Sequence, residues 1–334
     1  MAQQQLQAEN EARAKAQAEA QRLAAEAQRQ AEEARQARIR AIETAGDDAA
    51  KNGQFQIALE NYQQSLSGIA RYSVEDQRVR QAIINVVHSM QTPPAAPESV
   101  TRSMVRAEMR LKEGGAGAYE DAAKEMEQAV LEAPWLANAY YNLGIVKEQA
   151  GKFDEATQDF QLCLLADPRA QNTEAIKVKI YQLEVLKEDQ DKLQALQGTW
   201  KEANSDWQWS LTVNDKRIVL EQMGSSNPIR IEADVQGRGL QGIWSMPAYT
   251  PSGVFHDIWS VVYWHTCTRP NETEPLTGTI SDDGNSIELK FPTQEYQETL
   301  KDWMAVVDDH DPDRCQSLAL LGKTDVTVKI ERVH

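Results

Sequence analysis

The sequence predicts a multidomain α plus β protein: a long N-terminal α-helix, an α-helical solenoid built from hairpins, and a C-terminal antiparallel β-barrel with one packed helix. Residues 1–40 consist mainly of Ala, Gln, Glu and Arg without Gly or Pro, which favours one uninterrupted helix. Residues 41–195 keep helical periodicity between clusters of Gly and Pro, whereas residues 196–334 contain short segments that alternate apolar and polar residues. These three ranges are the predicted domains.

The N-terminal helix carries a stripe of small residues. Its members alternate in steps of four and three, as in a heptad seam: Ala20, Ala24, Ala27, Ala31 and Ala34. Because alanine buries little area, this seam alone would be weak. Two interpretations therefore stay open. One is a coiled coil that joins copies of the chain into a homo-oligomer, and the other is a solvated single helix that acts as a spacer.

The segment from Ala139 to Pro168 predicts two antiparallel helices that are joined at Gly151. Small residues and one aromatic residue lie where the helices must approach closely: Tyr140, Leu143, Gly144, Ala156, Phe160 and Cys163. Pro168 ends the second helix. This pattern resembles the tetratricopeptide repeat, a helical hairpin that stacks into solenoids. Lys147 departs from the pattern, since the family prefers an aromatic residue there.

The same unit recurs along the helical region. One period earlier the matching residues are Tyr119, Ala122, Met126, Ala129 and Pro134. A further copy begins near Arg38 and contains Ile42, Gly46, Gly53, Phe55, Ala58, Tyr62 and Ser65. A helix over about 74–90 could start another hairpin, and residues 171–195 are typical of the helix that caps a solenoid.

The resemblance implies a concave face that is lined by first helices and holds a peptide or protein segment. In the repeat that matches best, this face would consist of Asn138, Tyr141, Asn142, Ile145, Lys147 and Gln149. The alternative is a rigid spacer whose groove is empty or filled by the chain itself. Because a fold constrains function only loosely, both interpretations remain.

The C-terminal region predicts half-buried antiparallel strands, for example over 206–213, 229–235 and 326–330. In the first of these, Trp207 is expected on the same face as the apolar residues that follow it. Turn signals separate the strands, including one at 321–325. One helix is expected over 293–309, where helical spacing relates Tyr296, Leu300, Trp303, Met304 and Val307.

A short phrase, Leu-x-Gly-x-apolar, occurs at 196–200, 240–244 and 276–280. Glycine inside a strand marks a bend or a close backbone approach, so three copies favour a sheet that curls into a barrel. The first copy resembles the lipocalin-like (calycin) barrels, which implies a structural role for Trp200. It also implies a small cavity for a ligand, with the candidate lining residues Trp244, Trp259, Tyr263, Trp264 and His265. The alternatives are a filled barrel and a docking module with exposed aromatic residues.

Composition and motifs argue against several function classes. The net charge of −16 argues against a nucleic-acid partner, and no apolar stretch is long enough for a transmembrane helix. No nucleophile elbow, zinc-binding helix or dinucleotide fingerprint occurs, so no enzyme activity, cofactor or metal is expected. Gly-Lys-Thr at 322–324 lacks the glycine that a phosphate-binding loop requires at Ser317. The spacing of Asp309, Asp311 and Asp313 resembles the start of a calcium loop, but the following Gly and the later Glu are missing.

The three cysteines are too few for a disulfide scaffold. Cys163 falls on a helix face where a small apolar residue belongs. Cys267 and Cys315 either pair in an oxidising compartment or remain two buried thiols. The first residues show no signal peptide, although Ala-Gln-Gln-Gln also resembles the start of a chain after signal cleavage. The expected location is the periplasm or cell envelope, with the cytoplasm as the alternative.

A coiled-coil helix followed by such repeats resembles the Tol-associated coiled-coil proteins of the bacterial periplasm, and the added barrel departs from that family. The combined interpretation is a non-enzymatic scaffold or adaptor that binds protein segments through its repeats within a larger cell-envelope assembly. In this interpretation the β domain is a docking module. The alternative is a lipocalin-like carrier of a small ligand that is displayed on a helical spacer.

Overall fold

The computed structural model describes residues 2–115, 117–225, 228–250, 252–256, 261–265, 267–300 and 315–333. Within them the chain forms eight helices followed by antiparallel strands, which confirms the predicted order of helical and strand regions. The chain divides into two compact units, Met1–Leu186 and Lys187–His334. None of the described helices is both long enough and apolar enough to cross a lipid bilayer.

The first helix spans 50 residues and continues through the expected boundary between residues 40 and 41. The helices are α1 (Ala2–Lys51), α2 (Phe55–Leu66), α3 (Val74–Ser89), α4 (Glu98–Glu113), α5 (Ala118–Glu132), α6 (Ala137–Gln149), α7 (Phe153–Ala166) and α8 (Thr173–Gln194). The pairs α1–α2, α4–α5 and α6–α7 form the most extensive helix contacts, as expected for three hairpins.

Two of these hairpins close on the same contact between a glycine and an aromatic ring. In α6–α7, a Cβ atom on Gly144 would lie 2.9 Å from the ring of Phe160. In α1–α2, a Cβ atom on Gly46 would lie 2.9 Å from the ring of Tyr62. A carbon atom cannot be accommodated at that distance without displacing the ring. The glycines that the sequence places at these positions are therefore required for the helices to approach.

The turns of these hairpins also match. Gly53 and Gly151 both have φ +71°, in the left-handed region that side chains disfavour. Each lies seven residues after the glycine that contacts the ring. The repeat in the sequence is therefore a repeat in the structure.

The helical unit contains two apolar cores. One core joins α1, α2 and α3, and its fully buried members include Ala58 and Ile83. The other joins α4 to α8 with Ile84 of α3, and it includes Ala156 and Phe160. The helix α8 contributes Ile176, Ile180 and Leu183 to the second core, so one of its faces covers the hairpins.

Eight strands of the C-terminal unit form one antiparallel sheet that closes on itself. The strands of the chain are β1 (Gly198–Glu202), β2 (Gln208–Asn214), β3 (Arg217–Gln222), β4 (Arg230–Gln236), β5 (Gly239–Met246), β6 (Ser252–His256), β7 (Val261–His265), β8 (Glu272–Ile280), β9 (Ser286–Leu300) and β10 (Cys315–Arg332). The order in the sheet is β1-β10-β9-β8-β5-β4-β3-β2, and β1 pairs with both β2 and β10. We refer to it as the closed sheet.

The strands β6 and β7 lie outside the closed sheet. Among the described residues they pair only with each other, and β5 pairs directly with β8 along Gly239–Met246. A disulfide joins Cys267, just before β8, to Cys315 at the start of β10. Cys163 is a buried free thiol in the helical unit.

The interior of the closed sheet is filled by apolar side chains. Its core includes Trp200, Trp209, Leu211, Val213, Ile218, Leu220, Ile231, Leu240, Trp244, Leu289 and Ile330. Two glycines of the repeated Leu-x-Gly-x phrase allow neighbouring strands to approach closely. A Cβ atom on Gly242 would lie 1.9 Å from the carbonyl oxygen of Glu232. A Cβ atom on Gly278 would lie 2.6 Å from the carbonyl oxygen of Glu288. Trp207, which was expected on the inner face, precedes β2 and is half exposed.

Two local predictions were wrong. Residues 293–300 of the expected helix are part of β9, where they pair with β10, and residues 301–309 lie outside the described residues. The turn expected at 321–325 is part of β10, whose register with β9 shifts between Leu320 and Gly322 without ending the strand. In both places cross-strand hydrogen bonds over the whole length of β9 and β10 outweigh the local sequence pattern.

Gly144→Ala should destabilise the helical unit by about 1–3 kcal/mol, because the new methyl group must displace the Phe160 ring. Adding Phe160→Leu should cost less in the Gly144→Ala background than in the wild type, since the ring atoms in contact are then gone. Denaturant unfolding followed by helical circular dichroism measures each variant. Strictly additive losses would contradict the predicted contact.

Candidate protein-binding face

The predicted binding residues lie on α6, and most of them share one side of it. Asn138, Asn142, Ile145 and Gln149 recur at spacings of four, three and four, which places them along one face of a helix. Asn138 and Gln149 are exposed, whereas Asn142 and Ile145 are half-buried. Tyr141 borders this face. We call these five residues the α6 face.

The α6 face combines an apolar centre with amide groups. The Tyr141 ring packs edge-on against Phe160 with 5.8 Å between ring centroids, which anchors it to α7. The amides of Asn138, Asn142 and Gln149 have no hydrogen-bond partner among the described residues. An amide side chain offers both a donor and an acceptor. This face therefore offers hydrogen-bond donors and acceptors on both sides of Ile145.

Lys147 does not belong to this face. It lies nine residues after Asn138, which turns it to the opposite side of α6, and only 3% of it is exposed. Its ammonium group is ion-paired with Glu127 of α5 and Glu155 of α7, and it lies 5.1 Å from the ring centroid of Tyr72. Lys147 thus fixes α6 between its neighbours instead of lining a groove.

The loop between α2 and α3, residues 67–73, reaches α7. The hydroxyl group of Tyr72 donates a hydrogen bond to the Asp159 carboxylate at 2.9 Å, and Arg71 ion-pairs with the same carboxylate. The Arg71 guanidinium lies 4.1 Å from the Tyr72 ring centroid. Tyr72 has φ +66°, which is strained for a bulky residue. The surrounding contacts therefore hold this loop in place against its local backbone preference.

Arg80 binds α3 to α5 and α6. Its Nε donates to Asp76 at 2.8 Å, and its guanidinium also donates to the Val130 carbonyl at 2.6 Å and to the Tyr140 hydroxyl at 3.0 Å. The Tyr140 hydroxyl donates in turn to the Pro134 carbonyl at 3.0 Å. These bonds and those of the α2–α3 loop form one buried network, which we call the α3 network.

Burial dominates the electrostatics of the α3 network. It raises the pKa of Asp159 to about 7, while Arg71 and Tyr72 act in the opposite direction because both favour the ionised carboxylate. Burial also raises the pKa of Tyr140, so its hydroxyl remains a neutral donor. Since the charged groups are paired and largely enclosed, the network positions helices and presents no exposed acid or base.

The α3 network was not predicted from the sequence, although one signal was present. Ser73 and Asp76 form a capping pattern, and the Ser73 hydroxyl accepts a hydrogen bond from the Asp76 amide at 3.1 Å at the start of α3. Nothing in the local spacing identifies Asp159 as the partner, because it lies 88 residues after Arg71. This part of the site depends on the tertiary fold alone.

The candidate ligand cavity of the β region is not assembled as expected. Trp244 is buried in the filled core, with its indole nitrogen donating to the Pro292 carbonyl at 3.0 Å and its ring 4.9 Å from that of Phe291. Tyr263, Trp264 and His265 belong to β7, which is not a strand of the closed sheet. Trp259 lies outside the described residues.

The structural role expected for Trp200 agrees with its position. It is fully buried, and its indole nitrogen donates to the Leu196 carbonyl at 2.9 Å. Among the described residues no cluster of His, Cys, Asp and Glu is arranged to hold a metal ion. The aspartates of the calcium-like spacing, Asp309, Asp311 and Asp313, lie outside that part of the chain.

No family model matches the chain, and no curated protein matches it significantly. Among solved structures, the chain is similar to MamA protein at 15% identity over 46% of this chain and 86% of that one, with a TM-score of 0.24. It is similar to the Sgt2 TPR domain from Aspergillus fumigatus at 15% identity over 46% and 82%, with a TM-score of 0.21. A third is the first TPR of Spaghetti (RPAP3) bound to HSP90 peptide, at 14% identity over 45% and 93%, with a TM-score of 0.20. These scores are low, so the functions of those proteins carry no weight for this chain.

Asp159→Ala should lower the free energy of unfolding by about 1–3 kcal/mol, because it leaves the Tyr72 hydroxyl without its acceptor and removes one of the two carboxylates, Asp159 and Asp76, that pair with Arg71. Replacing both charges, with Arg71→Met and Asp159→Leu, should recover much of that loss. Denaturant unfolding of the full chain measures both variants.

Asp121→Ala is the matched control for Asp159→Ala. It removes an aspartate whose ion pair with Lys124 is exposed, so the change should stay below about 1 kcal/mol. A loss for Asp159→Ala no larger than the loss for Asp121→Ala would show that the α3 network does not hold the helices together.

Proposed function

We propose that this chain is a non-enzymatic adaptor that binds a protein segment on the α6 face, within a larger cell-envelope assembly. The observation that carries the proposal is that the side-chain amides of Asn138, Asn142 and Gln149 lie around Ile145 without a hydrogen-bond partner among the described residues. The opposite side of the same helix is held by the ion pairs of Lys147. A partner can form backbone hydrogen bonds there without displacing bonds within the chain. The α6–α7 hairpin needs no rearrangement to bind, which lowers the entropic cost of association.

The closed sheet serves as the docking module in this proposal. Its interior is filled, so its outer surface is the part available for contact. Two large apolar residues of this unit, Ile243 of β5 and Trp207 just before β2, are each 48% exposed. Exposed aromatic and branched residues are typical anchors of protein interfaces. The alternative function, a carrier of a small ligand, is less well supported because Trp244 is part of the core.

The cell envelope is supported by the disulfide between Cys267 and Cys315, since disulfides persist in oxidising compartments and are rare in the cytosol. In this proposal the helix α1 acts either as a spacer or as the helix through which copies of the chain associate. Its described side chains from Arg29 to Arg38 are all exposed, so the alanine seam in this stretch is available to another helix.

The α6 face can be tested with the combined variant Asn138→Ala, Asn142→Ala and Ile145→Ala. Immobilised full-length protein should capture a protein from envelope extract, and the variant should lose it by at least roughly tenfold, as expected for a loss above about 1.4 kcal/mol. Quantitative mass spectrometry measures the captured protein. The control is Gln128→Ala with Glu120→Ala, which changes exposed residues of α5.

Equal capture by the α6-face variant, the α5 control and the wild type would rule out binding at the α6 face. Circular dichroism of each variant checks that the helices remain folded. Ala156→Asp, which places a charge at a fully buried position of α7, provides the unfolded reference.

The location can be tested through thiol chemistry. Protein recovered from its native compartment should react with a thiol reagent only after denaturation and at one cysteine, the buried Cys163. Mass spectrometry after labelling counts the modified thiols. Labelling of three cysteines in denatured protein that was trapped at lysis would place the chain in a reducing compartment.

A further inference from the structure

The α3 network and the ion pairs of Lys147 meet at Tyr72. The Lys147 ammonium lies 5.1 Å from the centroid of the Tyr72 ring, and the hydroxyl group of that ring donates to Asp159. Together they form one group of charged side chains that joins the α2–α3 loop to α3, α5, α6 and α7. We call it the charged cluster, and its members are Arg71, Asp76, Arg80, Glu127, Lys147, Glu155 and Asp159.

The charged cluster has one acid more than it has bases. Among the described residues its three basic side chains face four carboxylates. Burial raises the pKa of Tyr72 and of Tyr140, so these two members of the surroundings stay neutral. Glu127 and Glu155 are 31% exposed, whereas the other five charged side chains are at most 16% exposed. Because an unbalanced charge is costly where water is largely excluded, the cluster favours the uptake of one proton.

Two acids of the cluster are almost fully buried, and their surroundings differ. Asp76 lies in the first turn of α3, where the helix dipole favours a negative charge. It accepts hydrogen bonds from Arg80, from Arg71 and from a backbone amide of the loop. Asp159 lies in the middle of α7, and in the described part of the chain it accepts only from Arg71 and the Tyr72 hydroxyl. The proton therefore belongs on Asp159, in agreement with its raised pKa.

The α2–α3 loop covers the Asp159 carboxylate and is itself held at a cost. Tyr72 has a strained φ of +66°, and the Nε of Arg71 is buried without a hydrogen-bond partner among the described residues. The bonds from these two residues to Asp159 offset that cost in the closed loop. Opening the loop would relieve both the strain and the unpaired donor, and it would admit water to the carboxylate.

We propose that Asp159 is a proton-dependent switch that keeps the α2–α3 loop closed on α7 when it is neutral and lets the loop open when it ionises. Water stabilises the ionised carboxylate in the open loop, whereas the closed loop leaves the excess negative charge enclosed. Arg71 keeps Asp76 as a partner, so its guanidinium stays paired when the loop leaves α7. The switch governs how firmly the α1–α2 hairpin is held to α7, and it does not depend on the proposed binding at the α6 face.

The direction of the pH dependence follows from the number of bound protons. In the closed loop the pKa of Asp159 is raised to about 7, and in the open loop it returns to the unperturbed value of about 3.9. Between these values the closed state binds one proton more than the open state. The opening equilibrium should therefore rise by up to roughly tenfold per pH unit. The closed loop is most stable below about pH 4, loses stability as the pH rises, and changes no further above about pH 7.

Hydrogen exchange of the full-length protein, followed by mass spectrometry, tests the switch at residues 67–73. After correction for the intrinsic pH dependence of exchange, protection of this loop should fall more than roughly tenfold between about pH 5.5 and about pH 7.5. Asp159→Asn, which resembles the neutral acid, should show no such fall. Asp121→Asn is the matched control, because it changes an exposed aspartate of α5, and it should keep the wild-type pH dependence.

The excess of one acid can be tested by titration. In protein with ¹³C-labelled aspartate, the carboxyl signal that is missing from Asp159→Asn identifies Asp159 in nuclear magnetic resonance spectra. Its midpoint should lie near 7 in the wild type. Glu155→Gln should lower this midpoint, because the cluster is then balanced at three acids against three bases. Glu120→Gln, at an exposed position of α5, should leave it unchanged.

Three results would overturn the proposal. One is a pH dependence of loop protection that is the same in the wild type and in Asp159→Asn. Another is an Asp159 midpoint below about 5, since the carboxylate would then be ionised in the closed loop at neutral pH. The third is an Asp159 midpoint that Glu155→Gln leaves unchanged, because the excess acid would then not be the cause. None of these measurements involves the α6 face, so they stand or fall separately from the proposed binding.

Discussion

The approach of a glycine on one helix to an aromatic ring on the next sets the geometry on which the helical unit depends. With Gly144 against Phe160, the half of α6 that carries Tyr140 and Leu143 is turned into the core. The remaining half carries Asn138 and Asn142, together with Ile145, which is only partly buried at the edge of the core. A steric requirement on one side of the helix thus determines which side stays accessible at the surface.

The α3 network supplies directional bonds where apolar packing alone would leave the position of α3 poorly defined. Apolar contacts tolerate sliding, whereas the bonds from Arg80 to the Val130 carbonyl and the Tyr140 hydroxyl are satisfied at one position only. The desolvation of these charges is compensated by their mutual pairing. The first hairpin and the later ones are thereby held as one body of helices within the N-terminal unit.

The hairpins could be predicted because their requirements are local: a glycine opposite a ring, and a glycine at a left-handed turn. Lys147 was misplaced although helical arithmetic puts it opposite Asn138, and the aromatic preference of the repeat at that position already indicated a buried site. Residues 293–300 have a helical spacing that their pairing with β10 overrides. The contact between Tyr72 and Asp159 joins distant segments, so no window of sequence contains it.

Because β5 pairs directly with β8, the closed sheet does not depend on the strands β6 and β7 that lie between them in the sequence. Every hydrogen-bonded neighbour needed to complete the circuit is present without β6 and β7. Evolution can therefore lengthen, shorten or exchange the β6–β7 segment while the closed sheet and the disulfide between Cys267 and Cys315 stay intact. Relatives of this chain would be expected to diverge most there, and a graft at that point is the natural way to give the same scaffold a new specificity.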